Sequence, residues 1–488
     1  MHLLRNLGWV AVLACLLSCC LWPAVYNGGP LLGSDTEAYI RYADVAVAKF
    51  TNRPPEWWSQ TELTDQSVST TSARHEEAKA PFLGRSIYYG MLLKIGDAYG
   101  MMWPSIALQA AALLLAIALT LLNTIGLSRF NLSVLVVLLA FTTPVAFFAS
   151  RLMPDMFAGI AILATANLII YTERMNRVSL FAWVGLLGAA LLFHSTHVLI
   201  ALAIFVWFLF CRVFLRGSAS WTGLGAVFFC IVLAFAGDAA FSIATMKAFG
   251  VAPIRPPFLT ARMVADGPGE AYLRSSCPDS GFAVCRFIDR LPTTADKFLW
   301  SSDAANGGVF TPADPATRRA LSNEQFRFAL AVLRYDPLGE ATAMARNTLK
   351  QIGMVSMSEF NLTNIDRNEF RQELPPRYLK AAEQTRSWND TMPVALMSAV
   401  VLIVLLGTAS YIVRIIFLPS NHAMDDRGLE KLAVIVIGGI ILNAFVCGAM
   451  SDPYDRYQLR VIWLVPFVAA LMYLRSKPYR FAQRGSTL

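Results

Sequence analysis

Asp35, Asp44, Arg85, Arg151, Asp155, His194, His197, Asp452, Asp455 and Arg456 are the residues of this chain best placed to do chemistry. Each stands in a short polar stretch beside an apolar run. A carboxylate in a partly dry cavity has its pKa raised toward that of a working base. An arginine fork matches phosphate oxygens bidentately. Gathered on one side of a membrane, these groups would line a cavity that takes a proton and holds a phosphate.

Each also has a plainer reading. Asp35 stands in Gly33-Ser34-Asp35-Thr36-Glu37-Ala38-Tyr39-Ile40-Arg41-Tyr42, where Ser34 or Asp35 could simply cap a helix. Arg151 and Asp155 are four apart across Pro154 and could form an interfacial ion pair, a weak contact at a surface. His194 and His197 have the i, i+3 spacing that lets two imidazoles share a metal, but no third ligand stands nearby, so substrate positioning is the preferred reading. Asp452 and Asp455 could cap the last span while Arg456 snorkels to the interface.

The elements that must position these groups are apolar helices. The chain has 488 residues, of which 56% are hydrophobic and 15% charged. Mean hydropathy is +0.50. That excludes an ordinary soluble enzyme and indicates an all-α polytopic membrane protein. The net charge of +8 does not call for nucleic acid. The basic residues fall in loops where the positive-inside rule puts them on the cytoplasmic face.

About ten spans are expected, at 7–26, 102–123, 132–149, 155–171, 179–193, 197–215, 221–247, 392–417, 430–449 and 460–474. Several are shorter than the ~20 residues that cross the hydrocarbon core. Trp22-Pro23 follows the first run without a small-x-small cleavage site, which argues for a retained helix rather than a signal peptide. Arg129, Arg174, Arg177, Arg212, Arg216, Arg414, Arg427 and Lys431 then lie inside with a basic tail, and both termini are cytoplasmic. Every unusual polar cluster falls on the side of Asp35.

The expected organisation is a first transmembrane helix (1–27) and a first outer loop with amphipathic surface helices (28–101). A transmembrane core (102–247) and a large, mostly helical outer loop (248–391) follow. The C-terminal transmembrane helices (392–474) and a cytoplasmic basic tail (475–488) complete it. At its length the 248–391 loop is too long for a plain connection, and 322–350 has apolar residues at helical spacing. Cys277 and Cys285 in that loop form a disulfide if it faces an oxidising compartment. The other six cysteines lie in apolar runs and are packing residues.

This pattern resembles the GT-C superfamily of integral-membrane glycosyltransferases. The resemblance rests on the layout and on short motifs: Ser34-Asp35-Thr36-Glu37-Ala38-Tyr39 after the first span, Gly84-Arg85-Ser86-Ile87-Tyr88-Tyr89 at the end of the first loop, Pro154-Asp155, and Asp455-Arg456-Tyr457 before the final span. It implies transfer of a sugar from a polyprenyl-phosphate donor to a glycan, lipid or protein acceptor on the outer face of a bacterial inner membrane, with inversion. Asp35 would be the general base. Arg456, Arg85 and Arg151 would bind the donor phosphate, and Asp155, His194, His197, Tyr39 and Tyr457 would line the substrate site. The large loop would cover the cavity. Some relatives use a divalent metal, but this chain shows Pro154-Asp155 where they carry a double acid, and no carboxylate cluster for the ion.

Two rival readings stay open. A flippase or transporter of a lipid-linked saccharide would need an ionisable residue near mid-membrane, for which Asp238 is the best candidate. A polymerase or ligase using undecaprenyl-pyrophosphate glycans would lean on the arginines more than on Asp35.

Overall fold

A computed structural model describes residues 2–51, 57, 85–215, 217, 219–417 and 427–476. Most of the first loop between 52 and 84, including Gly84 of its motif, and Arg216 and the tail from 477 lie outside them. The described residues are helical, with no strand among them beyond one isolated bridge, Leu31 to Arg151.

Helices α1 (His2–Cys20) and α2 (Trp22–Asn27) open the chain, followed by α3 (Thr36–Thr51) and α4 (Ile87–Gly100) of the first loop. The core comprises α5 (Trp103–Thr124), α6 (Arg129–Thr142), α7 (Val145–Ala149), α8 (Phe157–Tyr171), α9 (Arg177–Phe193), α10 (Ser195–Phe214) and α11 (Trp221–Phe249). The large loop folds into α12 (Phe258–Asp266), α13 (Pro268–Ser276), α14 (Ala295–Trp300), α15 (Pro315–Tyr335), α16 (Pro337–Gly353), α17 (Asn364–Glu373) and α18 (Pro376–Ala382). Helices α19 (Val394–Phe417), α20 (Arg427–Met450), α21 (Asp455–Ile462) and α22 (Leu464–Ser476) complete the chain.

Among the described residues, seven helical segments are long and apolar enough to cross a membrane: those beginning at Trp103, Pro154, Ser195, Trp221, Val394, Gly428 and Asp455. Three shorter apolar helices, Gly8–Cys20, Arg129–Thr142 and Arg177–Phe193, coincide with the remaining expected spans. The chain is an all-α polytopic membrane protein. Segment 154–174 is its hub: 94% of its apolar window is buried, so it meets helices on every side and little or no lipid. Segments 195–214 and 394–415 are only 22% and 17% buried, as a lipid-facing helix should be.

Among the described residues two hydrophobic cores form. One runs through the spans. The other belongs to the large loop and gathers Ile254, Phe298, Phe310, Phe328 and Val332. Cys277 and Cys285 are disulfide-bonded within that unit.

Tyr39 and Tyr89, on the first-loop helices, turn inward. Both are buried and meet edge-to-face at 5.0 Å. Burial is tolerated because the Tyr89 hydroxyl donates to Gln109 Oε1 at 2.8 Å, satisfying its polar end.

Candidate functional site

The bridge at Leu31 builds the site. Leu31 N donates to the Ser150 carbonyl and Leu152 N to the Leu31 carbonyl, both at 2.9 Å. Thr36 locks the turn that follows: its hydroxyl accepts from Gly33 N at 2.8 Å and donates to the Leu152 carbonyl at 3.1 Å. Gly33 is needed for this approach, since a Cβ there would stand 2.0 Å from Met153 Sδ. The 33–36 turn is thereby pinned beside Arg151.

Asp35 does not spend its carboxylate on a helix cap. Oδ1 accepts from Arg85 Nη2, and Oδ2 lies 3.1 Å from Arg456 Nη2. Arg456 Nη1 also donates to Ser34 Oγ at 3.1 Å. The first loop and the last span thus meet on one carboxylate. Burial would push the Asp35 carboxyl up, but Arg85 and then Arg456 outweigh it and hold it well below the usual carboxylate range. This corrects the expectation of a raised base: in this state Asp35 is a masked, fully ionised carboxylate.

Arg151 and Asp155 do not pair with each other. Pro154 opens a single 3-10 turn between them. Arg151 Nη1 lies 3.9 Å from Glu359 Oε2 and stacks over Phe360 at 5.1 Å. Asp155 Oδ1 accepts from Arg460 Nη1 at 3.0 Å. Arg460 is completely buried and also reaches Asn443 Oδ1 at 3.0 Å and Thr196 Oγ1 at 3.2 Å. Arg456 and Arg460, four apart on α21, straddle the Tyr457 ring at 5.0 and 5.1 Å.

His194 and His197 stand together, ring centroids 5.2 Å apart, but they are not posed as a metal pair. His194 Nδ1 is within 3.2 Å of Thr196 N, which donates to it, so it caps α10. Burial, with Arg460, Arg85 and Arg456 nearby, holds the His194 imidazole well below its ordinary range, so it is neutral. His197 Nδ1 donates to the Ala190 carbonyl at 2.8 Å, a partner that can only accept.

The large loop covers the site. Trp300 lies over the Arg85 guanidinium at 5.5 Å. Glu359 faces Arg151 and accepts from Arg456 N at 3.4 Å. Ser356 N donates to Asp455 at 2.7 Å, and Arg262 donates to Asp452 at 2.9 Å, so these two aspartates fasten the loop to the late turn. Asp44 belongs elsewhere, with Lys94 at 2.7 Å and Trp57 N at 2.8 Å.

Among the described residues, four arginines (85, 151, 456, 460) therefore meet three carboxylates (35, 155, 359). Arg151 Nε and Nη1, Arg460 Nε, Asp155 Oδ2 and His197 Nε2 are buried with no hydrogen-bond partner among the described residues. The guanidinium nitrogens of this set have donor capacity for a polar anion, while Asp155 Oδ2 and His197 Nε2 can only accept. No group of three or more His, Cys, Asp or Glu side chains is arranged to hold a metal among the described residues, and Asp35 and Asp155 each already face a guanidinium.

Sequence reasoning missed Arg460, Glu359 and Trp300. An arginine inside an apolar span is a functional signal in itself, which would have found Arg460. Glu359 and Trp300 carry no local signal. No family model, curated protein or solved structure matches this chain.

Proposed function

We propose that this protein is a membrane glycosyltransferase that takes a sugar from a polyprenyl-phosphate donor. It passes the sugar to a glycan, lipid or protein acceptor at the outer membrane surface. The observation that carries this reading is Asp35 held between Arg85 and Arg456, where the first loop meets the last membrane segment.

The chemistry needs few groups. The acceptor oxygen attacks the anomeric carbon with inversion, and its proton passes to an Asp35 oxygen. The bond between that carbon and the phosphate oxygen breaks, and polyprenyl phosphate leaves with the electron pair. Arg456, Arg85 and Arg151 balance the charge that develops on the departing phosphate. The same arginines that mask Asp35 are those the phosphate would engage, so donor binding would unmask the base. Arg460 holds Asp155 rigid beneath, and His194 and His197, with Tyr39 and Tyr457, shape the sugar side. The large loop keeps water from the sugar.

On this reading the membrane is a bacterial inner membrane with both termini cytoplasmic and all ten apolar helices embedded. One observation favours a second reading: the gathering of four arginines at the site suits a polymerase or ligase acting on pyrophosphate-linked glycans. A flippase is less well supported, because Asp238 is half-exposed and paired with Arg255 at 2.6 Å rather than buried between helices. The test is transfer of labelled sugar in membranes carrying the chain, from polyprenyl-phosphate donors beside pyrophosphate-linked ones. Transfer from the monophosphates supports the transferase, transfer from the pyrophosphates alone supports the ligase, and transfer from neither contradicts both.

A further inference from the structure

Helix α16 is built inside out. Its buried face carries Glu340, Asn347 and Gln351, at most 6% exposed. Its outward face carries Leu338, Ala341, Ala345, Leu349 and Ile352, spaced three and four apart along one stripe. Leu338 is 79% and Leu349 71% exposed. A helix that bathes in water turns its apolar stripe inward. This one uses its polar stripe for docking: Gln351 Nε2 donates to the Tyr454 carbonyl at 2.8 Å and Oε1 accepts from Tyr454 N at 3.1 Å, while Asn347 donates to Asp266 at 2.8 Å.

The neighbours of the outward stripe say what covers it. α16 packs directly on the membrane span α20. The contact is backbone-close at Gly448, where a Cβ would stand 2.7 Å from the Asn347 carbonyl oxygen. One and two turns along α20, Phe445 and Ile441 are exposed, as lipid-facing residues of a span are. The apolar stripe of α16 thus sits at the end of a span whose own outward face is apolar. Arg346 and Lys350 are exposed along one edge of the stripe, at the spacing at which basic side chains reach phosphate headgroups. Helix α15 repeats the pattern with exposed Phe326, Leu330 and Leu333 beside Arg327 and Arg334.

We propose that the large loop is seated in the bilayer interface through α16, its apolar stripe in the acyl boundary and Arg346 and Lys350 on lipid phosphates. The partner is the lipid surface. Because Gln351 grips the turn that precedes Arg456, this seat fixes the height of the arginine cluster above the hydrocarbon. The inference holds whatever reaction the site performs.

The test is nitroxide labelling of the full chain in vesicles of phosphatidylcholine and phosphatidylglycerol. Labels go at Leu349→Cys and, separately, Ala345→Cys, with Cys15, Cys19 and Cys211, the unpaired cysteines that are not buried, changed to serine. Ser302→Cys, exposed elsewhere in the loop, is the aqueous reference. The ratio of oxygen to nickel-chelate accessibility at 345 and 349 should exceed that at 302 severalfold. Nickel access equal to that at 302 would place the stripe in water and overturn the proposal. So would dipolar broadening from a second copy, or a label immobilised and shielded from both reagents by another protein.

Discussion

Arg456 Nη2 stands 3.1 Å from Asp35 Oδ2, so the last membrane segment closes an ion pair on the first loop. With Arg85 on the other oxygen, the carboxylate is clamped from both ends of the chain. This clamp has a pH signature. The folded carboxyl is held below its unfolded value, so its contribution to stability is present above the unfolded pKa, about 4, and is lost only as pH falls further. Between pH 5 and 8 the melting temperature of Asp35→Asn should therefore run parallel to that of the wild type. A wild-type transition near pH 6 to 7 that the variant lacks would contradict the clamp.

Glu340 should show the opposite sign. It is fully buried and neither carboxyl oxygen has a hydrogen-bond partner among the described residues. Burial, with Asp266 and Asp336 adding to it against the pull of Arg262, pushes its carboxyl up to about 7. Its contribution to stability is full below about pH 4 and is lost as pH rises through 7. Glu340→Gln should raise stability at pH 8 by on the order of 1–3 kcal/mol relative to wild type and change little at pH 4. Thermal unfolding in detergent at both values checks this; an equal shift at both would remove Glu340 as the titrating group.

Arg460 and Asp155 form an ion pair with both side chains almost wholly buried. Arg460→Met alone leaves Asp155 as an uncompensated buried charge, a loss of about 3–5 kcal/mol. Arg460→Met combined with Asp155→Leu should recover most of that, because the pair is then replaced by apolar bulk. Melting of the two single variants and the double variant gives the coupling directly. A double variant as unstable as the sum of the singles would show that the two side chains act independently.

The apolar runs were legible because a membrane helix must satisfy its backbone internally and present apolar side chains to lipid, which composition alone reveals. That the Asp35 stretch and the Arg456 stretch belong to one side was legible from loop charge. Their contact was not, since nothing local specifies which arginine a distant carboxylate takes. At Arg151 and Asp155 local spacing misled: i, i+4 implies a pair only on a continuous helix, and Pro154 breaks it. At α16 the helical period was visible over 322–350, but periodicity gives a stripe and not the side that faces inward. Surroundings decide that, and here a polar dock and an apolar exterior reverse the usual sense.

The proposed transfer of the acceptor's proton to Asp35 is tested most directly by one comparison. Transfer of labelled sugar from a polyprenyl-phosphate donor is measured in membranes expressing wild type or Asp35→Asn, at matched protein levels. Wild type should transfer label, and Asp35→Asn should be slower by about 100- to 10,000-fold, the usual worth of a positioned base. Equal rates from the two would contradict the account and move attention to Asp155.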